Sequence, residues 1–216
     1  MIFPVHSGLC AHFFHILGSM GMSIPVEVFE ELRDVCRDAW TRGLLSGFNG
    51  NVSRRLDART CCITRSGAAK GFLRPADLCA VDIASGTTLE GGQPSSELGM
   101  HLEIYRRCPA AQGVVHTHPR HLLALSLRVC EQDMLRMPLF EAEMQRARMG
   151  FAAACPPGTR ELAQAVGAQA VTHEAVWMAR HGLCCHGADV LTALALTEEL
   201  DHLAAVQLLA APAGGL

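Results

Sequence analysis

Gly113-Val114-Val115-His116-Thr117-His118-Pro119 is the stretch that decides the fold, because it predicts a buried strand that ends directly at the start of a helix. The apolar residues before the histidines are typical of a buried β-strand. Pro119 suits the first turn of a following helix. Residues two apart in a strand project from the same face, so His116 and His118 are predicted to point the same way at the strand end.

Helix and strand patterns alternate on both sides of this stretch. Apolar residues recur at three- and four-residue steps over residues 25 to about 44, which predicts an amphipathic helix. No repeat or linker divides the chain, so the sequence predicts one layered α/β domain. The other predicted helices cover residues 96–107, 119–127, 157–166 and 188–210, and the predicted strands cover residues 52–56, 61–64, 78–83, 113–118, 152–155, 175–179 and 183–185.

Residues 1–22 are interpreted as an N-terminal extension or as the product of a start codon assigned too far upstream. The segment 8–22 is apolar, but His12 and His15 interrupt it and no positively charged leader precedes it. These features disfavour a signal peptide. We therefore expect a single catalytic domain over residues 23–216.

The composition disfavours several classes of function. The 216-residue chain has a formal net charge of −3, so it lacks the basic surface that attracts nucleic acid. No apolar run reaches the roughly 18 residues of a membrane-spanning helix.

The adjacent pairs Cys61/Cys62 and Cys184/Cys185 predict small buried thiols in a reducing, cytoplasmic setting. Lys70 is the only lysine among eighteen basic residues, which is interpreted as a bias of base composition.

His181 is the best third partner for His116 and His118. It precedes Gly182 between two apolar strands, where a sharp turn can place a ligand. Neutral imidazoles favour zinc and other borderline metals, so the three histidines predict a divalent-metal site. The alternative is that His116 and His118 are polar residues on a solvated strand face. The remaining histidines of the body of the chain, His101, His121, His173, His186 and His202, are interpreted as structural.

Glu97 follows Ser95 and Ser96 at the predicted first turn of a helix, where free backbone N–H groups and the helix dipole favour an anion. One interpretation is that Glu97 only supplies charge to the helix end. The other is that the serines and N–H groups hold a phosphate while Glu97 faces the metal as base or ligand. The Asn49-Gly50-Asn51 and Ser66-Gly67 turns are likewise either ordinary turns or anion-binding nests.

Six short motifs follow one another along the chain. They are Gly50-Asn51-Val52-Ser53, Ile63-Thr64-Arg65-Ser66-Gly67, Pro94-Ser95-Ser96-Glu97, Val115-His116-Thr117-His118, Pro157-Gly158-Thr159 with Glu161-Leu162, and His181-Gly182-Leu183. Taken together and in this order, they resemble the class II aldolase/adducin family over nearly all of residues 26–210. The resemblance implies a three-layer α/β/α sandwich with a central, mostly antiparallel sheet. It also implies a cyclic homotetramer with active sites at the subunit interfaces.

The resemblance further implies a role for each site residue. His116, His118 and His181 match the ligands of Zn²⁺, for which Mn²⁺, Co²⁺ or Fe²⁺ can substitute. Glu97 matches the carboxylate that ligates the resting metal and then moves protons. The implied reaction cleaves a phosphorylated ketose, a sugar 1-phosphate, to dihydroxyacetone phosphate and an aldehyde. The positions that match the family's phosphate-binding site are Gly50, Asn51, Ser66, Gly67, Ser95 and Ser96.

One departure from the family concerns the second acid/base group. Fuculose-phosphate aldolases use a tyrosine from a neighbouring subunit, whereas the only tyrosine here is Tyr105. Glu141 or Glu143 is expected to take this role, with Glu141 preferred, unless both are solvated loop charges. A dehydratase or decarboxylase of a sugar phosphate at the same metal site is the nearest alternative function. A non-catalytic, adducin-like scaffold is the alternative of another class, and the retained histidines disfavour it.

Overall fold

The computed structural model describes residues 24–210, in which one eight-stranded sheet lies between two layers of helices. The expected extension at residues 1–22 lies outside the described residues. None of the helices within residues 24–210 is long and apolar enough to cross a lipid bilayer. The elements are α1 (Val26–Thr41), β1 (Asn51–Arg55), β2 (Thr60–Thr64), β3 (Leu78–Asp82), β4 (Thr88–Glu90), α2 (Leu98–Arg107), β5 (Gly113–Thr117), α3 (Arg120–Ser126), α4 (Phe140–Ala147), β6 (Met149–Ala152), α5 (Arg160–Ala170), β7 (Ala175–Met178), β8 (Gly182–Gly187) and α6 (Val190–Ala210).

The strands are arranged in the order β4-β3-β2-β1-β5-β8-β7-β6. Neighbouring strands are antiparallel except β6 and β7, which are parallel. The mostly antiparallel sheet implied by the family resemblance is therefore confirmed. The histidine-bearing strand β5 lies near the middle, where His116 pairs with Asn51 of β1 on one side and with Cys184 of β8 on the other.

Alternate residues of the central strands pack on opposite faces of the sheet. Val115 and Cys185 belong to the apolar core shared with α1, α3, α4 and α6, whereas Val114 and Cys184 belong to the core shared with α2 and α5. This two-residue alternation is the expected consequence of β-geometry in a sheet buried on both faces. The predicted three-layer α/β/α sandwich is confirmed.

The cysteine pairs pack as small apolar side chains, as predicted. Cys61, Cys62, Cys184 and Cys185 have no exposed surface. Burial raises the pKa of the Cys61 and Cys185 thiols to about 12. These side chains therefore remain neutral thiols inside the two cores.

Three predictions of local structure were wrong, one of which is the missed short strand β4. The strand predicted at residues 152–155 is β6, which begins at Met149 because its parallel pairing with β7 runs from Met149 opposite Ala175 to Ala152 opposite Met178. Helix α4 was not predicted at all. Its apolar residues Phe140 and Met144 stand four apart, but the helix is only eight residues long, which is shorter than the window in which an apolar period is usually recognised.

Candidate metal centre

The three predicted metal ligands lie at the same end of three neighbouring strands. His116 is in β5, His118 follows the last residue of β5, and His181 lies in the turn between β7 and β8. One donor nitrogen of each ring lies within 4.8 Å of the other two. The Nε2 atoms of His116 and His118 are 3.1 Å apart. The structure therefore brings the three imidazoles to a single point.

The hydrogen bonding of His116 occupies its Nδ1 atom and leaves Nε2 available to a cation. Its Nδ1 lies 3.0 Å from the backbone oxygen of Leu183. A carbonyl oxygen only accepts hydrogen bonds, so Nδ1 carries a proton, and in the neutral ring Nε2 then has the lone pair that a cation can take. A backbone carbonyl behind a histidine is a common way to orient a metal ligand. Nε2 faces His118 and lies 3.2 Å from Oε2 of Glu97.

Glu97 joins the three imidazoles from the N-terminal end of α2. Its carboxylate oxygens lie 3.2 Å from Nε2 of His116 and 3.1 Å from Nε2 of His181. Burial acts to raise the pKa of Glu97, but its contacts with His116, His181 and Asn51 outweigh burial and hold the pKa well below its usual value. Glu97 is the N-cap residue of α2 rather than part of its first turn, because the helix begins at Leu98 and not at residue 96 as expected.

The donor set fits a divalent cation. Burial is the largest cause that lowers the pKa of His118, to about 4, so its imidazole is neutral at physiological pH. Oε1 of Glu97 and Nδ1 of His181 are buried and have no hydrogen-bond partner. Three imidazoles and a carboxylate suit Zn²⁺ and accept other divalent first-row metals.

Gly182 allows the histidine rings to pack this closely. A Cβ atom at this position would lie 2.5 Å from the backbone oxygen of Thr117 and 2.9 Å from Cδ2 of His118. The backbone of Thr117 cannot move without shifting the strand that carries His116. A side chain at position 182 is therefore incompatible with the present arrangement of ligands.

A line of buried hydrogen bonds leads away from Glu97. Nδ2 of Asn51 donates to Oε2 of Glu97 over 2.9 Å, and Oδ1 of Asn51 lies 2.5 Å from Nε2 of His101. Nδ1 of His101 lies 2.7 Å from Oγ of Ser53, which in turn lies 2.8 Å from the hydroxyl of Tyr105. The four residues beyond Glu97 are at most 2% exposed. We call this line the Asn51–Tyr105 relay.

One arrangement of protons satisfies the whole relay. Because Asn51 uses its amide N–H toward Glu97, its carbonyl oxygen accepts from Nε2 of His101. Nδ1 of His101 then accepts from Ser53, and Ser53 accepts from Tyr105. Burial lowers the pKa of His101 to about 3 and raises the pKa of Tyr105 well above its usual value, so both groups stay neutral. The interpretation of His101 as merely structural therefore misses its contact with the site.

A cavity of about 280 Å³ opens beside the imidazoles. Its lining includes Glu97, His118 and His181, and also two basic residues that sequence reasoning did not assign to the site, Arg65 and Lys70. All six predicted phosphate-binding residues also line this cavity: Gly50, Asn51, Ser66, Gly67, Ser95 and Ser96. Their uncharged hydroxyl, amide and backbone groups therefore share one small space with the histidines and Glu97.

Glu141 and Glu143 do not line this cavity within one chain. Both are exposed on α4, and Glu143 borders a separate cavity of about 520 Å³. The same helix carries Phe140 and Met144, whose exposed fractions are 84% and 67%. The structure of a single chain therefore does not bring the predicted second acid/base group to the metal centre.

Comparison with known protein families accounts for this combination of fold and site. Residues 30–208 match the model of the class II aldolase and adducin N-terminal domain. The chain belongs to this family. A crystal structure of l-fuculose-1-phosphate aldolase from Thermus thermophilus superposes with a TM-score of 0.74 at 30% sequence identity, covering 88% of this chain and 100% of that one.

Relatives with similar identity carry the names of three different reactions. An L-fuculose phosphate aldolase from Methanococcus vannielii is 36% identical over 175 residues, 81% of this chain and 92% of that protein. A methylthioribulose-1-phosphate dehydratase from Sodalis glossinidius is 35% identical, with coverage of 80% and 92%. A 3-oxo-tetronate 4-phosphate decarboxylase from Haemophilus influenzae is 32% identical, with coverage of 78% and 80%. Lyase chemistry is common to the three names, while the bond that breaks differs.

Proposed function

We propose that this protein is a divalent-metal lyase that cleaves a phosphorylated ketose to dihydroxyacetone phosphate and an aldehyde. The observation that carries the proposal is the convergence of His116, His118, His181 and Glu97 beside the cavity lined by the six predicted phosphate-binding residues. Aldol cleavage of such a substrate needs a cation at the carbonyl end and an anion site for the phosphate. Both requirements are met within one small space.

The three histidines would hold the cation, with Zn²⁺ as the first choice. When bound, the cation supplies Lewis-acid chemistry toward the substrate carbonyl. The serine hydroxyls and backbone N–H groups of the cavity hold the phosphate and orient the carbon chain. In cleavage the bond between carbons 3 and 4 breaks, the hydroxyl on carbon 4 loses its proton to become the aldehyde, and carbon 3 gains a proton. Glu97, an ionised carboxylate beside the ligands, is the group that exchanges the proton at carbon 3.

The proton from the hydroxyl on carbon 4 needs a second acceptor. We assign it to Glu141, or alternatively Glu143, from a neighbouring subunit of a homotetramer. The exposure of Phe140 and Met144 on the same helix supports this assignment, because apolar side chains that stand this far into solvent are suited to packing against another copy. Tyr105 is unsuited to the role, since it is buried at the far end of the relay.

A subunit-mixing experiment tests the assignment across the interface. Glu97→Gln and Glu141→Gln variants are each expected to be inactive, and mixed oligomers formed by refolding them together should regain part of the activity. Recovery occurs because some sites then combine an intact Glu97 with an intact Glu141 of the neighbour. Mixtures with Glu143→Gln give the matched comparison. If no mixture regains activity while each Glu141 and Glu143 variant alone is fully active, neither residue is the second acid/base group.

A dehydratase is the second candidate function. The dehydratase relative is nearly as similar as the aldolase relative, at 35% against 36% identity, and no tyrosine within residues 24–210 reaches the metal centre. Both observations favour a reaction that differs from aldol cleavage in its second proton transfer. Decarboxylation of a sugar-acid phosphate uses the same cation and phosphate site.

Product analysis separates these reactions. The metal-loaded protein is incubated with the 1-phosphates of fuculose, ribulose, deoxyribulose and methylthioribulose, and dihydroxyacetone phosphate is measured by a coupled reductase. Aldol cleavage predicts equal amounts of dihydroxyacetone phosphate and aldehyde from at least one ketose. A dehydrated phosphate ester with no aldehyde, or carbon dioxide from a sugar-acid phosphate, would replace the aldolase assignment. A protein that binds no cation and alters no substrate would be the scaffold instead.

A further inference from the structure

Lys70, the only lysine of the chain, lies in the wall of the cavity beside the metal centre. It begins a short 3₁₀ turn, Lys70–Phe72, and only 3% of its surface is exposed. Its ammonium donates one hydrogen bond of 2.8 Å, to the backbone oxygen of Phe48. An ammonium group carries three N–H donors. Two of them are therefore available to a ligand in the cavity.

No carboxylate within residues 24–210 forms an ion pair with Lys70. Asp77, one of the two carboxylates that influence Lys70, is bound by Arg65 over 2.8 Å and by Arg74 over 3.2 Å. Glu97 is bound by Asn51 and lies against the imidazoles. Cys36 is the remaining titratable neighbour of Lys70. It is a neutral thiol, because burial raises its pKa to about 12.

A buried ammonium without a counter-charge is unfavourable. Removing it from water has a free-energy cost that a single carbonyl contact does not offset. Burial accordingly lowers the pKa of Lys70, although the charges of Glu97 and Asp77 oppose the shift. An arrangement of this kind is typical of functional sites, where a ligand supplies the missing charge.

Among the described residues that line the cavity, Lys70 is the basic residue that forms no ion pair with a carboxylate. Arg65, the other basic residue in the wall, is paired with Asp77, which it shares with Arg74. The predicted phosphate-binding residues offer only uncharged donors, and Glu97 adds a negative charge. A phosphate monoester brings nearly two more negative charges at neutral pH. The cavity therefore needs a cation on the phosphate side as well as the one held by the histidines.

We propose that Lys70 binds the phosphate group of the substrate and is the charged member of an otherwise neutral phosphate site. Charge-assisted hydrogen bonds to phosphate oxygens are stronger than neutral ones. Lys70 thereby selects phosphorylated over non-phosphorylated sugars. The substrate class rests on the proposed function, but the anion site itself does not depend on which bond is broken.

Binding of inorganic phosphate to the metal-loaded protein tests the proposal without turnover. Lys70→Met should weaken phosphate binding, measured by titration calorimetry, by about tenfold to a hundredfold, the loss expected for a buried charge-assisted contact. Lys70→Arg should retain part of the affinity. Arg128→Met, which removes one positive charge from an exposed position outside the cavity, should bind like the unmodified chain. Equal phosphate affinity of Lys70→Met and the unmodified chain would overturn the proposal.

Two further measurements separate phosphate binding from a structural role. Lys70→Met should keep its metal and melt at the same or a higher temperature, because an unpaired buried charge is removed. A lower melting temperature together with unchanged phosphate binding would make Lys70 a structural contact to Phe48.

Lys70 is also the only lysine that cyanate can modify, so peptide mapping reports on it directly in the unaltered protein. Phosphate should slow this carbamylation, and equal rates with and without phosphate would overturn the proposal.

Failure of the proposed function is distinguishable from failure of the lysine assignment. If no ketose phosphate is cleaved but Lys70→Met loses phosphate binding, the anion site stands and the reaction is reassigned. If cleavage is observed and Lys70→Met leaves the KM unchanged, the reaction stands and the lysine assignment is overturned. For an active lyase we expect the KM for the phosphorylated substrate to rise more than kcat falls.

Discussion

The side-chain amide of Asn51 donates a 2.9 Å hydrogen bond to Oε2 of Glu97. Asn51 begins β1 directly opposite His116 in the sheet register, so the same residue touches the proposed base and lies beside a proposed metal ligand. Its carbonyl oxygen is fixed in turn by His101. The orientation of Glu97 is therefore set from the buried interface between the sheet and α2.

Replacing His101 by Leu should lower kcat by about tenfold to a hundredfold while leaving the metal content unchanged. Asn51 loses the partner that fixes its amide, so Glu97 is held less well relative to the substrate, and small misplacements of this kind are costly. The KM should change less than kcat, since His101 contacts no proposed metal ligand and reaches the predicted phosphate site only through Asn51. Ser53→Ala, one step further along the relay, should give a smaller effect. Unchanged kcat in His101→Leu would show that the relay does not position Glu97.

The stability of the metal-free protein should depend on pH through His101. Its pKa falls from 6.5 in the unfolded chain to about 3 in the fold, because the ring is buried. Between these values the unfolded state binds a proton that the folded state does not, so stability falls as pH falls, by about 1.4 kcal/mol per pH unit for one proton. Above pH 6.5 the contribution is constant.

Urea unfolding of the unmodified chain and of His101→Leu at pH values from about 4 to 7 measures this contribution by difference. Titrating groups that lie away from the relay and the metal centre occur in both proteins and cancel in the comparison. The slope of the unmodified chain should be steeper by about one proton. Parallel pH dependences of the two proteins would contradict a neutral, buried His101.

Gly182→Ala should reduce metal retention and lower the stability by about 1–3 kcal/mol, the usual range for forcing an atom into a packed region. The added Cβ would meet Thr117 and the ring of His118. Gly92→Ala is the matched control, because a Cβ there approaches only the side chain of Arg65, at 4.0 Å. Metal content and thermal melting report the two effects. Equal metal content and equal melting temperatures of the two variants would mean that the close packing behind His118 contributes neither to metal retention nor to stability.

Much of the fold could be predicted from the sequence because the spacing of its apolar residues matches the repeat of a helix or of a strand. The three- and four-residue apolar steps of α1 and the apolar run before His116 in β5 are local signals. The parallel pairing of β6 with β7 is not local, and the sequence alone therefore placed β6 too late. Helix α4 is only eight residues long, so its apolar spacing is too short to be recognised as a helical period.

The candidate site was predictable as far as short motifs extend. His116 and His118 are two residues apart, and Glu97 follows two serines, so both patterns can be recognised locally. His101 was missed because its partner Asn51 is fifty residues away in the chain. In addition, the apolar spacing of a helix is the same whether a histidine within it only packs or also forms a hydrogen bond. Lys70 was missed because only the structure shows that it is buried in the cavity wall. The rarity of lysine in this chain was the one available signal.

The metal content of the purified protein tests the central claim most directly. Elemental analysis after exposure to Zn²⁺ and extensive dialysis should find one divalent cation per chain. His118→Ala should retain almost none, because one of the three imidazoles is lost, whereas Glu97→Gln should retain the cation and lose turnover. A protein that holds no stoichiometric cation under these conditions, or a His118→Ala variant that holds it as tightly as the unmodified chain, would contradict the account.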